Sequence, residues 1–152
     1  LDPTELASLL RRHGRDGTVR GPVADLTFDP VRGYMTGSMD LVFEARGRYY
    51  LADYKSNRLG DGPEAYLPER LARTMARETY DLQYLIYTVA LARYLSRRMP
   101  EFRYERDFGG VFYLFVRGMD PARGAELGVY RDRPSGELVR ALDRYLAHGE
   151  AA

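Results

Sequence analysis

The chain has no cysteine and no tryptophan, two histidines, and a single lysine, asparagine and glutamine among its 152 residues. Without cysteine there are no disulfides, no thiolate zinc sites and no cysteine nucleophile. No segment supplies the ~20 consecutive apolar residues that a membrane helix needs. The most apolar run, Tyr84 to Leu95, is interrupted by Arg93. No basic region followed by an apolar stretch opens the chain, so nothing signals secretion and a cytoplasmic protein is the default expectation. A strong net charge is missing as well: 23 Lys plus Arg against 22 Asp plus Glu leave +1. The domain as a whole does not attract polyanions, and any nucleic-acid site has to be a local patch. Internal repeats and low-complexity segments are also lacking.

The scarcity of lysine is the most informative of these absences. Twenty-two of the basic residues are arginine and one is Lys55. Arginine and lysine replace one another on a solvated surface, but not where a compact, titratable ammonium is required. Asn57 and Gln83, the other two singletons, fall close to Lys55 or on the helix that follows it. Each alone is weak, and together they favour chemistry at this place.

What is present suits one domain. A chain of this length buries roughly 68–70% of its extended surface, and a composition of 45% hydrophobic and 30% charged residues is ordinary for a globular protein. The organising stretch is Tyr34 to Lys55, YMTGSMDLVFEARGRYYLADYK. Two β-prone runs flank Arg46-Gly47, which reads as a hairpin. With a two-residue loop, paired numbers sum to 93, so Asp40 faces Asp53 and Ser38 faces Lys55. Alternation then puts Ser38, Asp40, Asp53 and Lys55 on one face and Met39, Leu41, Phe43, Tyr50, Ala52 and Tyr54 on the other, which reads as core. A three-residue loop with Gly47 as a bulge would slip this register. Facing like charges destabilise a sheet, and a divalent cation such as Mg²⁺ would offset the repulsion. The alternative is a surface hairpin with two solvated aspartates.

Elsewhere the chain reads simply. Asp2 caps a short helix through Leu6, Leu9 and Leu10, with Pro3 at its first position and Gly14 at its end. His13 at that end is better read as a solvated helix-end histidine than as a metal ligand. Residues 16 to 33 read as loop, with Val23 to Phe28 as a candidate edge strand. Gly60-Asp61-Gly62-Pro63 is a breaker. Ala65 to Met99 is helical in two pieces, with a break near Glu78 to Tyr80. Arg70, Arg73 and Arg77 share a face that is either solvated or tracks phosphates. Leu82, Leu85, Ile86 and Val89 should pack on the sheet, with Gln83, Tyr87 and Tyr94 on a neighbouring stripe. Val111 to Val116 reads as a buried strand, after a bulge or close approach at Gly109-Gly110. The crossover from strand 48–55 makes the two strands parallel. A short strand at Gly128 to Tyr130 and a helix from Pro134 to His148 close the chain.

The residues GSMDLVF, then LADYKSNRLG thirteen residues on from aspartate to aspartate, resemble motifs II and III of the PD-(D/E)XK nucleases. YDLQYLIYTVAL is similar to the QxxxY motif of RecB-like nucleases at Gln83 and Tyr87, and FGGVFYLFVRG resembles the next stretch of that domain. The resemblance runs from about Val31 to about Tyr130. It implies an α/β (α+β) fold with a restriction-endonuclease-like core, a mixed central sheet flanked by helices. It implies Asp40 and Asp53 as metal ligands with the Tyr54 backbone carbonyl as a third, Lys55 on the attacking water and phosphate, and Gln83 and Tyr87 positioning substrate or a metal-bound water. Mg²⁺ is the implied cofactor, with Mn²⁺ as substitute, and single-stranded DNA the substrate class. The implied activity is metal-dependent hydrolysis of DNA phosphodiester bonds, of the exodeoxyribonuclease V type, in double-strand break repair and recombination. RecC-like and RecD-like subunits and a RecA-type recombinase are the implied partners.

One departure stands out. RecB-like nucleases carry a histidine ligand on a helix well before the hairpin, and nothing here matches it. The expectation is that residues 1–152 are one nuclease domain from the C-terminal part of a larger helicase-nuclease, weak or inactive alone. The alternative is a non-catalytic docking module for a recombinase or a partner subunit.

Overall fold

In a computed structural model of the protein, which describes residues 2–13 and 36–148, strands β1 (Leu41–Ala45), β2 (Arg48–Lys55), β3 (Phe108–Phe115) and β4 (Val129–Asp132) form one sheet. Their spatial order follows the sequence, with β1–β2 and β3–β4 antiparallel and β2–β3 parallel. Helices α1 (Pro3–His13), α2 (Pro68–Arg77), α3 (Tyr80–Arg98), α4 (Tyr104–Asp107) and α5 (Gly136–His148) complete the fold. The expected mixed sheet with flanking helices is what the chain forms.

The hairpin takes the two-residue turn. Arg46 and Gly47 have φ of 53° and 73°, the left-handed pair whose twist matches the strands on either side. The Glu44 carboxylate accepts the Gly47 N–H at 2.7 Å and pins the turn. Pairing runs from Ala45↔Arg48 to Leu41↔Ala52, the register whose numbers sum to 93.

The crossover from β2 to β3 carries α2 and α3, broken at Glu78-Thr79. Thr79 sits at φ 55°, a left-handed conformation costing a non-glycine residue roughly 1–2 kcal/mol. The turn starts α3 on a new heading, with Tyr84, Leu85, Thr88, Val89 and Leu91 buried. At the start of β3 the pairing jumps from Tyr49↔Phe108 to Tyr50↔Gly110, leaving Gly109 as a bulge. A Cβ on Gly109 would lie 2.2 Å from the Tyr50 ring, so no side chain fits there.

The Asp2 carboxylate caps α1, accepting the N–H groups of Thr4 at 2.8 Å and Glu5 at 3.0 Å. Tyr145 on α5 ties this end down, its hydroxyl donating to the Asp2 carbonyl at 2.6 Å. His13 Nδ1 lies 3.1 Å from Glu137 Oε1, so that histidine bridges α1 to α5. The arginines at 70, 73 and 77 are exposed. No helix among the described residues is long and apolar enough to cross a membrane. The stretch 16 to 33, with Val23 to Phe28, lies outside the described residues, as does the beginning of the organising stretch.

One expectation is overturned. The face of Met39, Leu41, Phe43, Tyr50, Ala52 and Tyr54 is not the main covered one: Leu41 is 38% and Tyr54 51% exposed, although Ala52 is buried and Met39 packs partly against the core. The core lies under the other face, where Leu51, Val111, Tyr113 and Phe115 are at most 1% exposed. The physical reason is the crossover, whose helices land on the Asp53 side of the sheet. On the outer side, Phe43, Tyr50 and Phe112 pack ring on ring, with centroids 5.2 to 6.3 Å apart, and cover one another.

Candidate active site

β2 and β3 run parallel and end side by side at Lys55↔Phe115, and open α/β sheets bind ligands outside such carboxyl ends. Asp53 pairs with Tyr113 across the two strands, so both side chains point into the helix-covered face. Asp53 is 4% exposed. Its Oδ2 lies 2.6 Å from Lys55 Nζ, out of line for a hydrogen bond, so this buried oxygen has charge compensation without a directional partner. A buried carboxylate on its own would be prohibitively unfavourable. Lys55 makes it tolerable, and Lys55 in turn needs further partners.

Those partners come from α3. Lys55 Nζ donates to Gln83 Oε1 at 3.0 Å, and the Tyr113 hydroxyl donates to the same oxygen at 2.9 Å. Burial, and then the Asp53 charge, push the Tyr113 phenol above its ordinary range, so it stays a donor. Two donors on one oxygen fix which end of the Gln83 amide faces inward. Its Nε2 then points to the Tyr87 hydroxyl, 3.4 Å away. Gly37, just before the hairpin, runs against Tyr87; a Cβ there would sit 3.1 Å from that ring. The Lys55 ammonium also lies 4.1 Å from the Tyr80 ring centroid and 5.0 Å from that of Tyr113. The Tyr80 hydroxyl donates to Asn57 Oδ1 at 3.3 Å. The chain's only lysine and only asparagine thus both contact Tyr80, and its only glutamine bonds that lysine.

Asp40 sits at the mouth of this cluster. The ladder ends at Leu41↔Ala52, one step short of Asp40 and Asp53. The exposed Asp40 carboxylate accepts the Tyr54 N–H at 2.9 Å, a donor the ladder would otherwise have used. That bond holds one Asp40 oxygen beside the β2 backbone, next to Asp53.

Of the residues singled out from sequence, Asp53, Lys55, Gln83 and Tyr87 join in one network, and Asp40 is bonded to the backbone beside it. Tyr94 stays apart, exposed, with Arg98 5.6 Å over its ring. Sequence reasoning missed Tyr80 and Tyr113. Tyr80 carried a signal, three residues before Gln83 on the same helix. Tyr113 carried none, because its place beside Asp53 depends on the register of the parallel pair.

Among the described residues no three of His, Cys, Asp and Glu converge as a metal cage. The carboxylates on hand are Asp53 and Asp40, the latter bonded to the Tyr54 N–H, with no thiolate or imidazole among the described residues of the cluster. Such a set fits a hard cation that keeps part of its water shell, Mg²⁺ or Mn²⁺, and does not fit structural zinc. Asp53 Oδ2, buried without a directional bond, is consistent with that fit.

No protein-family model matches the chain. It is 52% identical over 122 residues to the RecBCD enzyme subunit RecB of Haemophilus influenzae and 48% identical over 122 residues to that of Escherichia coli. Each match covers 80% of this chain and 10% of the relative. The RecB subunit of Mycobacterium tuberculosis is 40% identical over 157 aligned positions, covering 95% of this chain and 14% of that protein. The chain thus spans about a tenth of the length of the relatives it matches.

Proposed function

We propose, from the premise that the chain is homologous to one segment of the RecB subunits, that it is a metal-dependent DNA nuclease domain working within a larger helicase-nuclease. The observation that carries this reading is the buried Asp53–Lys55–Gln83 network at the end of β2, with the Asp40 carboxylate held beside it.

Asp40 and Asp53, with the Tyr54 carbonyl, would hold Mg²⁺, for which Mn²⁺ would substitute. When bound, such an ion neutralises charge on the phosphate and makes its water a better nucleophile. The chain's own residues do the rest. Lys55 presents a compact ammonium to a phosphate oxygen where charge builds in the transition state. Gln83 holds that ammonium in place through Oε1. The Gln83 amide and the Tyr87 hydroxyl offer hydrogen bonds to the substrate strand. Single-stranded DNA is the preferred substrate. RecC-like and RecD-like subunits are the assembly partners in a cytoplasmic repair and recombination enzyme.

The test is DNA cleavage with Mg²⁺ by a RecB-type chain carrying this domain, assembled with its partner subunits. Asp53→Ala and Lys55→Ala should each lower cleavage by about 10²-fold or more, with helicase activity retained. Cleavage at the parent rate in both variants would refute the assignment.

A second reading, a docking module for a partner subunit or RecA-type recombinase, is favoured by one observation. The outer sheet face presents Leu41, Phe43, Phe112, Leu114 and Val129 around an open apolar depression. A domain that captures recombinase equally well with Asp53 and Lys55 both replaced, and never cuts, would fit that reading.

A further inference from the structure

We infer that Tyr80 and Tyr113 are positioning residues for Lys55, forming two aromatic walls of a slot that accepts an ammonium and rejects a guanidinium. As a statement about catalysis this rests on the nuclease reading; as a statement about the slot it does not. Four groups bound the Lys55 nitrogen: Asp53 Oδ2 at 2.6 Å, Gln83 Oε1 at 3.0 Å, the Tyr80 face at 4.1 Å and the Tyr113 face at 5.0 Å. Gln83 Oε1 takes up one N–H direction, and Asp53 Oδ2, off line, compensates the charge. The two ring faces add attraction for the positive charge. The side chain of Lys55 is only 12% exposed, so the ammonium has exchanged most of its water for these four groups. An N–H direction is left for a phosphate oxygen.

Both walls are themselves fixed. Tyr113 is fully buried and bonded to Gln83. Tyr80 opens α3 directly after the left-handed Thr79, packs 5.8 Å from Tyr113 and is tethered through its hydroxyl to Asn57. Asn57 thus acts at one remove, steadying a ring that faces the lysine, while Gln83 bonds the lysine itself and also holds Tyr113. This gives a physical cause for one lysine among 22 arginines. The two rings pack against each other and meet in a corner beside the nitrogen, so a planar guanidinium, larger and with five donors, would press on both faces with only two acceptors waiting for it.

Because Lys55 is the only lysine, the slot has a direct readout that does not depend on cleavage. The 152-residue chain, labelled with ¹³C-lysine, gives a single side-chain Cε–Hε signal. Two ring faces this close should displace it upfield of free lysine. Tyr80→Leu should move it back towards the free position, and Tyr80→Phe, which restores the ring, should return it upfield. An amide spectrum of each variant checks that the fold is kept. In the assembled RecB-type enzyme, Tyr80→Leu should lower kcat for DNA cleavage by about tenfold with KM unchanged. Tyr80→Phe should recover most of that loss, whereas Lys55→Arg should stay defective. A parent signal at the free-lysine position, or one unmoved by Tyr80→Leu, overturns the slot whatever the enzyme does. A displaced signal in an assembly that never cuts leaves the slot standing and refutes only the nuclease reading.

Discussion

The orientation of Gln83 is the joint on which the site turns, and it has a thermodynamic signature. Its Oε1 accepts from Lys55 at 3.0 Å and from Tyr113 at 2.9 Å, and Tyr113 is wholly buried. Gln83→Leu leaves the phenol O–H with no acceptor in the interior, at a cost of about 1–3 kcal/mol, and takes a charge-assisted bond from Lys55. We expect a total loss of about 2–4 kcal/mol, since Asp53 still compensates the ammonium. Tyr113→Phe alone removes a donor but leaves Oε1 bonded to Lys55, and should cost about 1 kcal/mol. In the Gln83→Leu background the same Tyr113→Phe change removes the stranded hydroxyl, so it should cost nothing or restore stability. The cycle then shows a coupling of about 1–2 kcal/mol, well outside the ~0.5 kcal/mol within which independent sites add. Urea unfolding of the four proteins measures it, provided the slope with denaturant is unchanged across the set. Additive losses would mean that Gln83 and Tyr113 share no hydrogen bond, and that the amide does not face the lysine as described.

Two further outcomes follow from single groups. Asp40→Ala should abolish calorimetric binding of Mn²⁺ to the chain, while Lys55→Ala keeps it or tightens it slightly, because the ammonium competes for the Asp53 charge; unchanged binding in Asp40→Ala would place the ion elsewhere. The Arg106 guanidinium and the Arg103 N–H hold the Asp107 carboxyl down at about 2, so its stabilising contribution is complete above the ordinary carboxylate range and disappears as pH falls through about 2. Asp107→Asn should therefore melt below the parent at pH 6, with the gap closing by pH 2 in thermal unfolding. A gap that stays constant with pH would show that the charge of Asp107 is not what holds α4.

The sequence by itself determined the hairpin. A strand has period 2, so with a two-residue turn at Arg46-Gly47 the number of each residue names its partner, and the structure chose that turn over a three-residue loop. It also located the break before α3, the bulge at Gly109 and the parallel crossover, because glycine, proline and helical periodicity act locally. The scarcity of lysine, asparagine and glutamine points to one place, and the three are linked there: Lys55 bonds Gln83 and faces Tyr80, which bonds Asn57. Tertiary structure decided what period 2 cannot: alternation sorts residues into two sets without saying which set is covered. The outer set is the more apolar along the hairpin, yet the crossover helices cover the set that carries Asp53 and Lys55. Tyr113 joined the site only because β3 docks against β2 in a register set by the Gly109 bulge, a long-range contact with no local signature. Burial then turned two charged residues on a strand into a network with four neutral partners, since a charge withdrawn from water has to find its replacements among whatever the fold brings near.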